Sequence, residues 1–130
     1  MQDRPTVLEL LAAVRGFLER DVVPALAGRT RFHALVAANV LGIVEREIER
    51  DEDQLLAEWI RLARLLDVTA EPPAGPRALR SGVRERTERL VEGIRRGEAD
   101  AGPHADAVRA HVRATVVEKL SVANPKYGGT

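Results

Sequence analysis

The feature that most constrains this chain is an almost continuous apolar run over residues 32–44, with a single amide, Asn39, near its centre. A helix that is apolar on nearly every side has to be enclosed by other helices, because water would otherwise contact its side chains. We therefore expect an all-α fold in which this helix is central. A buried amide needs a hydrogen-bond partner, so we expect Asn39 to bond to a backbone carbonyl of another helix, as a structural clip, or to a ligand.

The hydrophobic periodicity predicts an antiparallel bundle of about five helices with short connections. Helix 1 begins at a capping box formed by Thr6 and Glu9, and helix 4 ends at Gly97. No segment alternates apolar and polar residues with the period of a β-strand. The five helices are expected over residues 7–22, about 31–50, from Asp51 or Asp53 to about 67, about 77–96 and 103–123.

The chain length predicts one helical domain over residues 1–130, since a chain of this size buries about two-thirds of its unfolded surface. Residues 68–76 contain three prolines, which cannot continue a helix, so we expect a surface linker there. Asn124 followed by Pro125 predicts the end of the last helix and a short C-terminal tail over residues 124–130.

Charge and cysteine content argue against several classes of function. Twenty basic residues balance twenty acidic ones, so no broad positive field draws the chain to nucleic acid or to an anionic membrane, and we expect neither as a partner. The lack of cysteine excludes disulfides, thiolate catalysis and cysteine-bound zinc. The first residues lack the order of a signal peptide, and charges interrupt every apolar run, so we expect a soluble, cytoplasmic protein.

Four polar residues of the expected central helix form the first candidate site: His33, Asn39, Arg46 and Glu47. Asn39 and Arg46 share a face at helical spacing, which predicts either a structural polar cluster or a small-molecule pocket. His33 lies in the first turn, where backbone N–H groups disfavour its charged form, so we expect a neutral, hydrogen-bonding imidazole. An enzyme would require His33, Asn39 and Glu47 to converge on one cleft.

The remaining residues predict no metal, no cofactor and no self-contained catalytic centre. His104 and His111 are seven residues apart, which is roughly 10 Å along a helix and too far for both to bind one ion. We expect both histidines on or near the surface of the last helix. Phosphate-binding glycine loops and the nucleophilic serine motif are both missing from the sequence, so we expect a protein that is not an enzyme.

The C-terminal tail is the second candidate site, interpreted as a docking element for a partner. Asn124 and Pro125 are first of all a helix stop. Lys126, however, is one of only two lysines, and Tyr127 is the only tyrosine. A cation next to an aromatic ring on an exposed end is typical of residues that dominate protein interfaces.

Several short motifs, in this order and spacing, resemble a family of small uncharacterised bacterial helical proteins. The motifs extend over nearly the whole chain and are Arg4-Pro5-Thr6, Glu9-Leu10-Leu11, Phe32-His33, Val36-Ala37-Ala38-Asn39, Arg46-Glu47, Leu120 and Asn124-Pro125-Lys126-Tyr127. Members of that family are often encoded beside a kinase of the aminoglycoside-phosphotransferase type and an acyl-CoA dehydrogenase. The chain is also similar to the small accessory subunit of the hydroxyacyl-CoA kinase of levulinate catabolism.

The resemblance implies a non-catalytic accessory or regulatory subunit of such a kinase, acting in acid and acyl-CoA catabolism. The kinase would then be the protein partner and would carry the chemistry. A second interpretation is a self-associating helical protein that binds or senses a small molecule around His33, Asn39 and Arg46. The sequence is also compatible with a homodimer, because a monomer can leave any of the predicted apolar stripes half-covered.

Overall fold

The computed structural model describes residues 3–128, in which all regular structure is helical and no strand occurs. The α-helices of these residues are α1 (Val7–Phe17), α2 (Gly28–Leu65), α3 (Pro76–Arg95) and α4 (Gly102–Ala123). A π-helical turn, Leu18–Val22, and a 3-10 turn, Val23–Ala25, follow α1. The predicted all-α class is confirmed, but this part of the chain has four α-helices rather than five.

The difference arises because the second and third predicted helices are one continuous helix, α2. Asp51 and Asp53, expected to cap a new helix, lie inside α2. Between Gly42 and Pro72 the sequence contains neither glycine nor proline, so no residue in this segment strongly disfavours the helix. The carboxylate of Asp51 forms an ion pair with Arg80 of α3 instead of capping a helix.

The helix ends follow their sequence signals closely. The hydroxyl of Thr6 accepts a hydrogen bond from the Glu9 N–H at 3.2 Å, and the Thr6 N–H donates to the Glu9 carboxylate at 2.7 Å, which is the predicted capping box. Gly75 precedes α3 and Gly97 follows it, with φ angles of 90° and 84° that residues with a Cβ rarely adopt. Asn124 caps the C-terminal end of α4.

The contacts within the chain divide it into two compact units, one up to Glu49 and one from Arg50. We call them unit 1 and unit 2. Unit 2 has a hydrophobic core contributed by α2, α3 and α4, in which Leu62 is fully buried. The buried residues of this core are Leu55, Trp59, Leu62, Leu79, Val83, Leu90 and Val108. Most of them recur at intervals of three and four residues, so each helix turns an apolar face towards the others. The single domain expected from chain length remains a prediction.

Unit 1 buries little of its apolar surface. Its buried residues are Gly16, Val23, Ala38 and Gly42, which are small except for the valine. The expectation that residues 32–44 form a fully enclosed central helix is therefore wrong. In the described residues of unit 1, α1 and the two turns after it are the other helical elements, and Arg15 of α1 lies beside Gly42 and Glu45 of α2.

None of the helices in residues 3–128 combines the length and the apolar character needed to cross a membrane.

Candidate functional site

Ten large apolar side chains of unit 1 are exposed, and we call this set the unit-1 surface. They are between 38% and 62% exposed, and Phe32 is the most exposed of them. The set consists of Val7, Leu10, Val14 and Phe17 of α1 and Phe32, Leu35, Val36, Val40, Val44 and Ile48 of α2. Single exposed apolar residues are ordinary on a protein surface, but a concentration of this size is typical of an interaction site.

Arg15 connects the two helices of unit 1. Its guanidinium donates hydrogen bonds to both carboxylate oxygens of Glu45, at 2.9 to 3.2 Å, and this pairing raises the pKa of Arg15. The side chain of Arg15 also passes close to Gly42, where an added Cβ would lie 3.8 Å from its Cδ. The face of α2 that carries Gly42 and Glu45 is therefore turned towards α1.

The four polar residues predicted as a site are spread along α2 and do not line one cavity. His33 and Glu47 are 14 positions apart in the sequence, which corresponds to about 21 Å along a helix. His33 contributes to an open cavity of about 420 Å³, whose lining is Phe32, His33, Val36 and Ala37. Asn39, Arg46 and Glu47 are not part of that lining. Arg46 is half-buried and Glu47 is exposed.

Asn39 is exposed, so the expectation of a buried amide is wrong for the single chain. Its neighbour Ala38 is buried, and consecutive residues of an α-helix point about 100° apart, so Asn39 is turned away from the covered face. It lies between exposed apolar residues, with Val36 three positions before it and Phe32 seven positions before it. An amide that can both donate and accept hydrogen bonds thus lies within the unit-1 surface.

The core of unit 2 contains a buried cation, Arg86, which sequence reasoning missed. Its guanidinium carbon lies 3.3 Å from the centre of the Trp59 ring, and its Nη1 donates to the Trp59 carbonyl oxygen at 3.3 Å. Burial lowers the pKa of Arg86, while the face of the indole ring stabilises the positive charge. Arg86 lies three residues after Val83 and four before Leu90, so its position on the buried stripe was visible in the sequence.

Arg61, His111 and Glu118 form a polar group where α2 meets α4 in unit 2. Arg61 donates to both carboxylate oxygens of Glu118, at 2.7 and 2.8 Å, and the pairing raises the pKa of Arg61. His111 is buried, which corrects its expected place near the surface, and its Nδ1 has no hydrogen-bond partner in the described part of the chain. Burial, with a smaller contribution from the charge of Arg61, lowers the pKa of His111, so the ring is neutral at pH 7.

Two cavities of unit 2 lie beside these polar residues. A cavity of about 250 Å³ is lined by Arg61, Arg64, Leu65, Ala107, Ala110 and His111. A cleft of about 240 Å³ is lined by Leu65, Leu66, Arg89, Leu90, Glu92, Gly93, Arg96, Glu98 and the half-buried His104. Neither lining includes a serine, threonine or cysteine nucleophile. Over residues 3–128, no group of three or more histidine, aspartate or glutamate residues is arranged to bind a metal ion.

The predicted docking tail continues from the end of α4, and its last two residues, 129 and 130, lie outside the described part. The Tyr127 N–H donates to the Asn124 carbonyl oxygen at 3.0 Å, which forms a turn. Asn124, Pro125, Lys126 and Tyr127 are all exposed. Three valines of α4 are exposed as well, and together with Tyr127 we call them the α4 surface: Val112, Val116, Val117 and Tyr127.

A family model described as Domain of unknown function (DUF6285) matches residues 24–127. The match covers most of the chain, so the chain belongs to this family. It includes α2, α3, α4 and the start of the tail, while α1 lies before it. No curated protein and no solved structure shows significant similarity to the chain.

Proposed function

We propose that this member of the DUF6285 family is a non-catalytic accessory subunit of a kinase of the aminoglycoside-phosphotransferase type that acts on a hydroxyacyl-CoA. The kinase would bind the nucleotide and transfer the phosphoryl group. This chain would bind the kinase and stabilise its active conformation. The resemblance of the sequence motifs to the accessory subunit of such a kinase motivates the choice of partner.

The observation that carries the proposal is the α4 surface. Val112 and Val116 are one helical turn apart, so their exposed side chains lie on the same side of α4. Tyr127 is 72% exposed and follows α4 by four residues. Tyrosine is enriched among the residues that contribute most to protein binding, and exposed apolar side chains beside it supply a surface for a partner to cover. The α4 surface and the tail are therefore the proposed kinase contact.

Co-expression with a kinase of the aminoglycoside-phosphotransferase type from the same host tests the proposal. We expect the two chains to co-purify, and we expect the kinase to phosphorylate a hydroxyacyl-CoA faster in the complex than alone. Val116→Glu and Tyr127→Ala should each weaken co-purification while the isolated chain keeps its helical circular dichroism. Failure of the wild-type chain to co-purify, together with an unchanged rate for the kinase, would contradict the proposal.

A matched control separates this contact from the unit-1 surface. Val36 of α2 and Val116 of α4 are the same residue type, with exposures of 44% and 49%. If the kinase binds the α4 surface, Val36→Glu should leave the direct kinase contact in place, whereas Val116→Glu should remove it. The reverse result would place the kinase on unit 1.

A further inference from the structure

Unit 1 lacks the buried core that two helices need in order to stay packed. Its buried residues are two glycines, an alanine and one valine, whereas ten larger apolar side chains remain in water. A helix with an apolar face is stable when that face is covered by another layer. The described residues of unit 1 contain no further element to supply that layer, so the unit-1 surface is available to a second molecule.

The spacing of the exposed residues is that of helices that pack side by side in a bundle. On α1, Val7, Leu10, Val14 and Phe17 follow one another at intervals of three, four and three residues. On α2, the exposed residues Phe32, Val36 and Asn39 follow at intervals of four and three, and the half-buried Ile43 comes four residues after Asn39. Such alternation places the residues on one stripe of each helix, which is the pattern of helices that interdigitate in a coiled coil or a four-helix bundle.

The unit-1 surface as a whole sets the upper limit of the area that a dimer can bury, and the upper part of that range reaches the size of stable interfaces. A fully exposed aliphatic side chain of this size carries about 60 to 120 Å² of apolar area, so ten at roughly half exposure carry about 300 to 600 Å². Two copies would bury about 600 to 1,200 Å² of apolar area, which corresponds to about 900 to 1,800 Å² in total at the usual apolar share of a homodimer interface. Specific, stable interfaces bury about 1,200 to 2,000 Å².

Asn39 favours a second copy of this chain over an unlike partner. An amide carries both a donor and an acceptor. Two Asn39 amides related by a two-fold axis can therefore each donate a hydrogen bond to the other. A partner of different sequence would need a separate polar residue opposite Asn39. Within coiled-coil interfaces, a single asparagine on the apolar stripe pairs with its own symmetry mate and fixes the register.

We propose that unit 1 is a homodimerisation module, in which α1 and the first part of α2 from two copies form a four-helix bundle with the two Asn39 amides paired near the two-fold axis. The interface covers Phe32, Val36 and Ile43 of α2 and the apolar stripe of α1. This proposal does not depend on the kinase. The α4 surface is not part of the proposed interface.

Sedimentation equilibrium of the full chain alone tests the proposal. We expect a dimer at micromolar concentration, and we expect Val36→Glu to raise its dissociation constant by on the order of a hundredfold or more, because each dimer would bury two unpaired carboxylates. Val116→Glu is the matched control and should leave the dissociation constant unchanged. Circular dichroism should show that both variants keep their helices.

The natural lack of cysteine allows a second test of the two-fold axis. In Asn39→Cys the new thiols should lie close to each other and form an intermolecular disulfide rapidly under mild oxidation. Val116→Cys, which is similarly exposed, should cross-link only slowly. A wild-type chain that is monomeric at all concentrations would overturn the proposal, as would equal cross-linking rates for the two variants. A monomer that loses kinase binding in Val36→Glu would assign the unit-1 surface to the kinase instead.

Discussion

Unit 2 and unit 1 use their apolar residues in opposite ways. In unit 2, α2, α3 and α4 turn their apolar stripes towards each other, and Leu62 and Trp59 are almost completely removed from water. In unit 1, α1 and the first part of α2 leave Phe17 and Phe32 more than half exposed. The comparison shows that the apolar character of a helix does not by itself say whether the same chain covers it.

The polar residues of the two units follow the same division. In unit 2, Arg61, His111 and Arg86 are enclosed by packed helices, and burial lowers the pKa of both His111 and Arg86. In unit 1, Asn39 and His33 lie at the surface. Unit 2 is therefore a packed scaffold, and unit 1 has the larger exposed apolar surface. Three pairs of substitutions test this division, in order of decreasing effect.

A pair of leucines in α2 compares the units directly. Leu62 is fully buried in unit 2, whereas Leu35 is 45% exposed in unit 1. Leu62→Ala should lower the free energy of unfolding by about 2 to 5 kcal/mol, because it leaves a cavity in the core. At a protein concentration below that of dimer formation, Leu35→Ala should change it by less than about 0.5 kcal/mol. Chemical denaturation measures both, and equal losses would contradict the division.

A pair of glycines in α3 sharpens the account of the unit 2 core. A Cβ on Gly82 would lie 2.5 Å from a ring carbon of Trp59, whose ring packs against Arg86. A Cβ on Gly93 would meet the ends of two flexible side chains, those of Glu98 and Arg96. Gly82→Ala should therefore destabilise the protein by about 1 to 3 kcal/mol. Gly93→Ala should stabilise it by up to about 1 kcal/mol, since alanine favours the helix. Thermal unfolding distinguishes the two, and stabilisation by Gly82→Ala would show that Trp59 is loosely packed.

The smallest effect is expected from the titration of His111. Because burial lowers its pKa in the folded chain, the unfolded chain binds more protons just below pH 6.5, and the free energy of unfolding decreases as the pH falls through this range. His111→Leu should remove this part of the pH dependence, and His104→Leu should retain it. Glu58, whose pKa is raised mainly by burial, remains in both variants, so the difference between them isolates His111. Equal pH dependence in both variants would mean that His111 is hydrated.

Local sequence signals predicted much of the secondary structure. Thr6 with Glu9, Gly97, and Asn124 with Pro125 each determine a helix end through hydrogen bonds or backbone angles of a few neighbouring residues. The break expected at Asp51 was wrong because a capping residue permits a helix start without requiring one. The 29 residues between Gly42 and Pro72, which contain no glycine or proline, were the stronger signal.

Tertiary placement was harder to predict from the sequence. The run over residues 32–44 has the composition of an enclosed helix, and composition does not tell whether the cover comes from the same chain or from another one. His33, Asn39, Arg46 and Glu47 were grouped as a site because they share one helix, but a helix separates residues 14 positions apart by about 21 Å. Arg86 and His111 were missed because charged and titratable residues were assigned to the solvent face despite their positions on the buried stripes.

The most direct test of the central claim is amide hydrogen exchange of the full chain at high and at low protein concentration. If a second copy covers unit 1, dilution should accelerate exchange in α1 and in residues 28–48, while residues 55–62, α3 and α4 keep their protection. Strong protection of α1 that does not change on dilution would contradict the account, because it would show that unit 1 is stable without a second copy.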